Sequence, residues 1–541
     1  MDVVGGRHSP KSPNGVKEGE GKRSAPPESP VTEWNRRWII ISFWAVIVCL
    51  GLPHWIWTTS IHRSDLPLDV MNEWAEGKRC QIRIPIHIKL ITPGIDQEIG
   101  TAVVSETQDI LNGLPGFDSY QFKLSQGTHN ESVLVDREHD PPFTVLFENV
   151  GGNELRASLR TWEPVLDVHH GEIRGEDVDR LAQFIAAQVQ QAFEYEQKSL
   201  SYLLAGTPFM SGSDSSLSPE EKAMLAARTT RAFKFSSTYH LTFSLFSSSS
   251  SPSAWDIDDA LNKYVKPLLN VLSRINRFTI DTQVQLHASL SPSIAGPRFD
   301  PTSGKWQLDR TDLGGFINAA EWPLSPSIGA GPTINFVLYI PSSEQRPLEI
   351  AGTGGTSWLI PQWGGVHILN PSGKQVDRLT TADLEPAMLT FAEQLTALVG
   401  LPPSPPSLSM RLASLTRERA TSLILSASST LGALSRLTLK LTSIAIPDTV
   451  AKSVDETILR LDQACLDMQE GRFERALENT RIANDEAERA FFEPSMVGQV
   501  YFPDEHKVAI YVPLLGPMAV ALVMALLKQL RTFKAGKLKS A

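Results

Sequence analysis

Two uncharged apolar stretches, one near each end of this chain, divide it before any other feature is read. Trp38–Trp57 (WIIISFWAVIVCLGLPHWIW) and Val508–Leu527 (VAIYVPLLGPMAVALVMALL) each run twenty residues without a formal charge. A helix of that length spans about 30 Å, the hydrocarbon thickness of a bilayer. The first stretch leads into the bulky pair Trp55 and Trp57 instead of a small-residue cleavage site, so it reads as a membrane span and not as a removable leader. Trp34 and Trp38 at one end of it, with Trp55 and Trp57 at the other, suit the two interfacial belts.

Flanking charge sets the orientation. Arg36 and Arg37 precede the first stretch, and Lys528, Arg531, Lys534, Lys537 and Lys539 follow the second with no acidic residue among them. Positive flanks stay cytosolic, so both ends are expected in the cytosol and residues 58–507 in the lumen. Lys537 and Lys539 in the sequence KLKSA read as a dilysine retrieval signal of the endoplasmic reticulum membrane. Residues 1–37 carry +2 and residues 528–541 carry +5, which leaves −17 of the chain's −10 for everything between. A luminal region that acidic lacks the basic face a nucleic-acid partner requires.

The expected organisation follows. Residues 1–37 form a disordered cytosolic tail rich in Gly, Pro, Ser, Lys and Glu. Residues 38–57 are a transmembrane helix, 58–382 a luminal α/β domain, 383–507 a luminal helical portion, 508–527 the second transmembrane helix and 528–541 a cytosolic tail. Within 58–382, Gln81–Leu90, Phe143–Asn149, Leu155–Trp162, Phe278–His287, Ile334–Ile340 and Gly365–Leu369 carry strand patterns. Tyr239, Leu241, Phe243 and Leu245 alternate as a further strand, while Val178, Leu181, Ile185, Val189 and Phe193 fall on one helical face. Ala254–Ile275 reads as another helix. Strands alternating with helices predict one central mixed sheet flanked by helices.

Ser/Pro-rich 211–219 and 247–253 and Gly-rich 351–357 read as surface loops. Beyond Asp383 the pattern is helical, and residues 467–494 resemble a single tetratricopeptide-like hairpin with Ala476, Ala483 and Ala487 at packing positions. Ser409–Ile446 is Leu/Ser/Thr-rich and basic, with Arg411, Arg417, Arg419, Arg436 and Lys440 against Glu418 alone. Such a helix either lies on a membrane surface or packs on the sheet with its charges toward solvent.

Chemistry-bearing motifs are missing from the sequence. His169-His170 with Glu172 and Glu176 has no metal-ligand spacing and reads as a polar turn. The run Gly352-Thr353-Gly354-Gly355 lacks the lysine of a phosphate-binding loop, and no G-x-S-x-G elbow occurs. No catalytic residue, metal set or cofactor is expected. Of three cysteines, Cys49 lies in the first apolar stretch, which leaves Cys80 and Cys465 either bridged in an oxidising lumen or as two buried thiols. Asn130-Glu131-Ser132 is the sole acceptable N-glycosylation sequon, since Pro371 excludes Asn370.

Three motifs carry a family resemblance. They are Ile334–Pro341 (INFVLYIP), Leu359–Asn370 (LIPQWGGVHILN) around Trp363-Gly364-Gly365, and Tyr501–Pro517 (YFPDEHKVAIYVPLLGP). Together with Arg36-Arg37-Trp38 and His54-Trp55-Trp57, they resemble the S subunit of glycosylphosphatidylinositol (GPI) transamidase, the PIG-S family. The resemblance implies a non-catalytic subunit of an endoplasmic reticulum complex that cuts a C-terminal signal from precursor proteins and joins the new end to GPI. It also implies partnership with the protease subunit and the other membrane subunits of that complex, with GPI lipid or precursor as further contacts. The shared motifs read structurally: Trp363 as a buried ring beside a close turn at Gly364 and Gly365, and Phe502-Pro503-Asp504 as a turn starting the last helix. Pro513, Gly516 and Pro517 are expected to bend the second span. The competing readings are a membrane-anchored luminal transferase and a lipid-handling accessory.

Overall fold

The computed structural model describes residues 29–539, apart from 52, 55–56, 58–61, 128–140, 152–153, 210–216, 289–294, 317–330, 372–375, 442–443 and 498–503. The chain divides into two compact units: Met1–Arg63 with Ser443–Ala445 and Val497–Ala541, and Ser64–Thr442 with Ile446–Met496. In the smaller unit α1 (Pro30–Val46) starts at Ser29, whose side chain accepts from the Thr32 amide, and passes into a π-helical turn at Ile47–Gly51. Its apolar residues face outward: Trp34, Trp38, Ile39, Ile41 and Phe43 are all exposed.

The larger unit opens with α2 (Leu68–Ala75) and its fully buried Trp74. A first sheet is then built from β1 (Ile84–Ile91), β2 (Tyr120–Gly127), β3 (Phe143–Asn149), β4 (Arg156–Leu159) and β5 (Val165–His170) in the order β2-β1-β3-β5-β4. All neighbours are parallel except the edge strand β4. The crossover from β1 to β2 is α3 (Gln97–Asn112), capped by Asp96. Then α4 (Val178–Leu204) buries Leu181, Ile185, Val189 and Phe193. The Phe193 ring meets those of Tyr120, Phe122 and Phe143 at 6.5, 5.8 and 5.7 Å. Burial of each such side chain stabilises by about 1.5–3 kcal/mol. Next comes α5 (Pro219–Arg231), which begins in a capping box between Ser218 and Glu221.

A second five-stranded sheet follows. It uses β6 (Thr238–Ser247), β8 (Arg277–Gln285), β11 (Thr333–Ile340), β13 (Ser357–Ile360) and β14 (Gly364–Ile368) in the order β13-β14-β11-β6-β8, with β13 alone antiparallel. Short pieces decorate it: β7 (Ala254–Trp255) pairs β15 (Arg378–Leu379), and β9 (Arg298–Asp300), β10 (Lys305–Leu308) and β12 (Leu348–Ile350) make a small third sheet. The helix expected over Ala254–Ile275 starts later, as α6 (Ile257–Ala260), a π turn at Leu261–Val265 and α7 (Lys266–Leu272).

Two mostly parallel sheets thus stand where the sequence predicts one central mixed sheet. The strand β6 also departs from its half-buried expectation. Alternation singles out Tyr239, Leu241, Phe243 and Leu245, yet His240, Thr242 and Ser244 are buried too. Parallel strands covered on both faces lose the polar side that alternation implies.

The helical run consists of α8 (Thr381–Leu398), α9 (Leu408–Lys440), α10 (Asp448–Gln469) and α11 (Phe473–Phe491). These helices belong to the same compact unit as the sheets, so the change of character near Asp383 is a change of secondary structure within it. The hairpin placed at 467–494 is longer, pairing α10 with α11 across a turn at Glu470–Arg472, and Ala476, Ala483 and Ala487 are buried in it.

Finally α12 (Asp504–Lys539) runs as one helix through Pro513 and Pro517. Val512, Val520, Val523 and Met524 on it are exposed, and Ile39 and Phe43 of α1 share an apolar groove with its Leu522. Among the described residues no helix is long and apolar enough to cross a membrane.

Candidate functional site

The Trp363-Gly364-Gly365 motif sits where β14 enters the second sheet, and each glycine there admits a close approach. Gly364 has φ +156°, and a Cβ on it would collide with the Asn335 backbone on β11. A Cβ on Gly365 would collide with the side-chain amide of Gln394 on α8. That amide is held in place, because its Nε2 donates to the Trp358 carbonyl at 3.0 Å. The Asn335 amide donates to the Trp363 carbonyl at 3.0 Å and locks the strand's start. Trp363, expected as a buried ring, is half-buried against the cluster of Val337, Tyr339, Val366 and Ile368.

Two residues on, His367 faces Phe391 of α8 with ring centroids 6.3 Å apart, beside the stacked rings of Phe243 and Phe336. Burial pushes its imidazole down to about 4, so the ring is neutral at pH 7. Its Nδ1 has no hydrogen-bond partner among the described residues. The motif is therefore a joint at which sheet, turn and helix are fastened with no room between them.

The basic stretch on α9 is resolved differently from either expectation. Arg417 is buried and gives a two-pronged pair to Glu196 of α4, at 2.6 and 2.7 Å, with its guanidinium 5.1 Å from the Phe473 ring centroid. Glu418 takes Arg228 of α5 at 2.7 Å, and Arg228 also donates to the Gly400 carbonyl and to Ser199. Arg419 donates to the Val399 carbonyl at 3.0 Å, and Arg411 to the Pro402 carbonyl at 2.5 Å. Only Arg436 and Lys440 remain exposed. Cations turned inward in this way cannot lie on a membrane surface. They clamp α4, α5 and α9 into one body.

Cys80 and Cys465 form a disulfide with their Cα atoms 5.9 Å apart, fastening the segment before β1 to α10. His169 and His170 end the strand β5 instead of forming a turn. His170 is buried with Nδ1 2.6 Å from the Gly171 carbonyl, and His169 lies 3.6 Å from Glu148. No group of three or more His, Cys, Asp or Glu residues is arranged to hold a metal ion among the described residues. Asn130, Phe502 and Pro503 lie outside the described residues, Asp504 is the first residue of α12, and Lys537 and Lys539 fall in its last turns. What sequence reading missed entirely is Glu196 and Arg228. They sit in ordinary helical patterns, and their partners are 221 and 190 residues away.

The chain matches the family model for phosphatidylinositol-glycan biosynthesis class S protein over residues 42–536. It is 32% identical over 534 residues to the GPI-anchor transamidase component PIGS of Bos taurus, covering 90% of this chain and 93% of the other. It is 28% identical to the human protein of that name, with the same coverage. The GPI transamidase component PIG-S homolog of Schizosaccharomyces pombe is 28% identical over 515 residues, covering 92% of this chain and 84% of the other. A match that runs through both sheets, the Trp-Gly-Gly joint and the helical layer places this chain in the phosphatidylinositol-glycan biosynthesis class S family.

Proposed function

We propose that this chain is a non-catalytic component of GPI transamidase, anchored in the endoplasmic reticulum membrane by residues 38–57 and 508–527, with its larger unit in the lumen. The observation that carries the reading is the family match over residues 42–536, supported by relatives named as components of that enzyme. The buried charges of the larger unit agree with it, because they neutralise one another and fasten helices together. Exposed apolar side chains along α1 and α12 suit lipid or partner helices. The protease subunit and the other membrane subunits are the partners, and the larger unit serves them as a scaffold.

The test is a mild-detergent pull-down of the tagged full-length chain from endoplasmic reticulum membranes, followed by mass spectrometry. Stoichiometric recovery of the transamidase protease and its membrane subunits is the expected result. Recovery of a folded chain alone would overturn the assignment.

A further inference from the structure

We propose that a cleft between α5, α8 and the segment entering α9 binds a phosphate-bearing ligand through Arg231 and Arg411. The cleft has a volume of about 490 Å³, and its walls include Leu268, Leu401 and Pro403 beside the two arginines. The inference rests on the cleft alone and does not depend on membership of a complex.

Two things mark this pair among the described residues: unlike Arg228 and Arg417 they lack a carboxylate, and unlike Arg419, which also lacks one and donates to the Val399 carbonyl, they line the cleft. Arg228 and Arg417, on the same two helices, are each matched by a carboxylate, Glu418 and Glu196. Among the described residues Arg231 and Arg411 have no carboxylate in ion-pair range, although both are half-buried. The Arg231 Nε is buried without a hydrogen-bond partner among the described residues, and Arg411 spends its Nε on the Pro402 carbonyl. Withdrawing a guanidinium from water without an anion is costly, and burial accordingly lowers the Arg411 proton affinity. Glu393, the carboxylate on the rim, is exposed and pairs with neither arginine.

The ligand's chemistry follows from the donors. The two guanidiniums come from different elements, the last turn of α5 and the first turns of α9. An acceptor with oxygens in more than one plane, and with room for a second negative charge, can serve both at once. A tetrahedral phosphate does so, whereas a carboxylate presents two oxygens in a single plane. The apolar side of the cleft leaves room for the organic part of a phosphate ester, whether it comes from a lipid headgroup or from a soluble metabolite.

Calorimetric titration of the purified full-length chain in nonionic detergent tests this, with inorganic phosphate and with glycerophosphoinositol, a deacylated phosphodiester headgroup, as separate probes. Saturable binding of at least one probe is expected. Arg231→Gln and Arg411→Gln should each weaken it about tenfold or more. Ala397→Glu, which puts a carboxylate into the cleft wall while keeping both arginines, should abolish binding in a protein that still melts cooperatively. Tighter binding of the phosphodiester assigns the site to a lipid headgroup, and tighter binding of inorganic phosphate assigns it to a soluble phosphate. Titrations that stay linear for both probes, or saturable binding that none of the three variants alters, would overturn the proposal.

Discussion

At Gly365 the volume a side chain needs is already occupied by Gln394, whose amide is committed to the Trp358 carbonyl. Gly365→Val should therefore push α8 off the sheet and cost about 1–3 kcal/mol, read as a lowered thermal midpoint. Adding Gln394→Ala should recover part of the loss, since it removes the colliding atoms. His367 makes a second prediction. Its folded-state value near 4 lies below the ordinary 6.5, so the unfolded chain binds the proton more readily. Its contribution is complete above pH 6.5 and is lost as pH falls from there through about 4, with a slope of at most roughly 1.4 kcal/mol for each pH step of one. Melting curves across that window should flatten in His367→Phe relative to the unmodified chain. The sequence made the Trp-Gly-Gly motif conspicuous but not its reason, because Asn335 and Gln394 approach from other elements.

Elements were more legible than their partners. The amphipathic face of α4 and the buried strand β11 follow from spacing within a short window, and both appear where that spacing puts them. The role of α9 was hidden, because a local charge count finds five cations and one acid. Arg417 finds its counter-charge in Glu196 of α4, and the lone acid Glu418 is taken by Arg228 of α5. Glu196→Gln should leave Arg417 buried and uncompensated, costing about 3–5 kcal/mol in denaturant melts. The double change Glu196→Leu with Arg417→Met should cost clearly less than either single change, because no charge then stays buried. If both variants lose the same stability, the pair is not acting as a matched unit.

For the whole molecule, alternating strands and helices disclosed the α/β class but not the partition of strands into two sheets. Partition depends on which crossover returns to which neighbour, and that is decided by packing and not by periodicity. The membrane arrangement proposed above makes its own prediction at Asn130. An endoglycosidase-sensitive glycan should be present on the chain in cells, and Asn130→Gln should remove the gel shift. A chain unmodified at Asn130, with residue 130 reachable by protease added to sealed microsomes, would place the larger unit in the cytosol.

The Cys80–Cys465 bridge gives this unit a mechanical property. Its polypeptide enters near Ser64 and leaves near Met496, and the bridge joins positions close to both of those ends. A pull applied between the two ends runs from Ser64 to Cys80, across the sulfur–sulfur bond, and on from Cys465 to Met496. The long stretch in between, with every strand of both sheets, forms a closed loop hung beside that load path. Force from anything tugging on the flanking segments therefore bypasses the sheets, and only after reduction would they have to bear it.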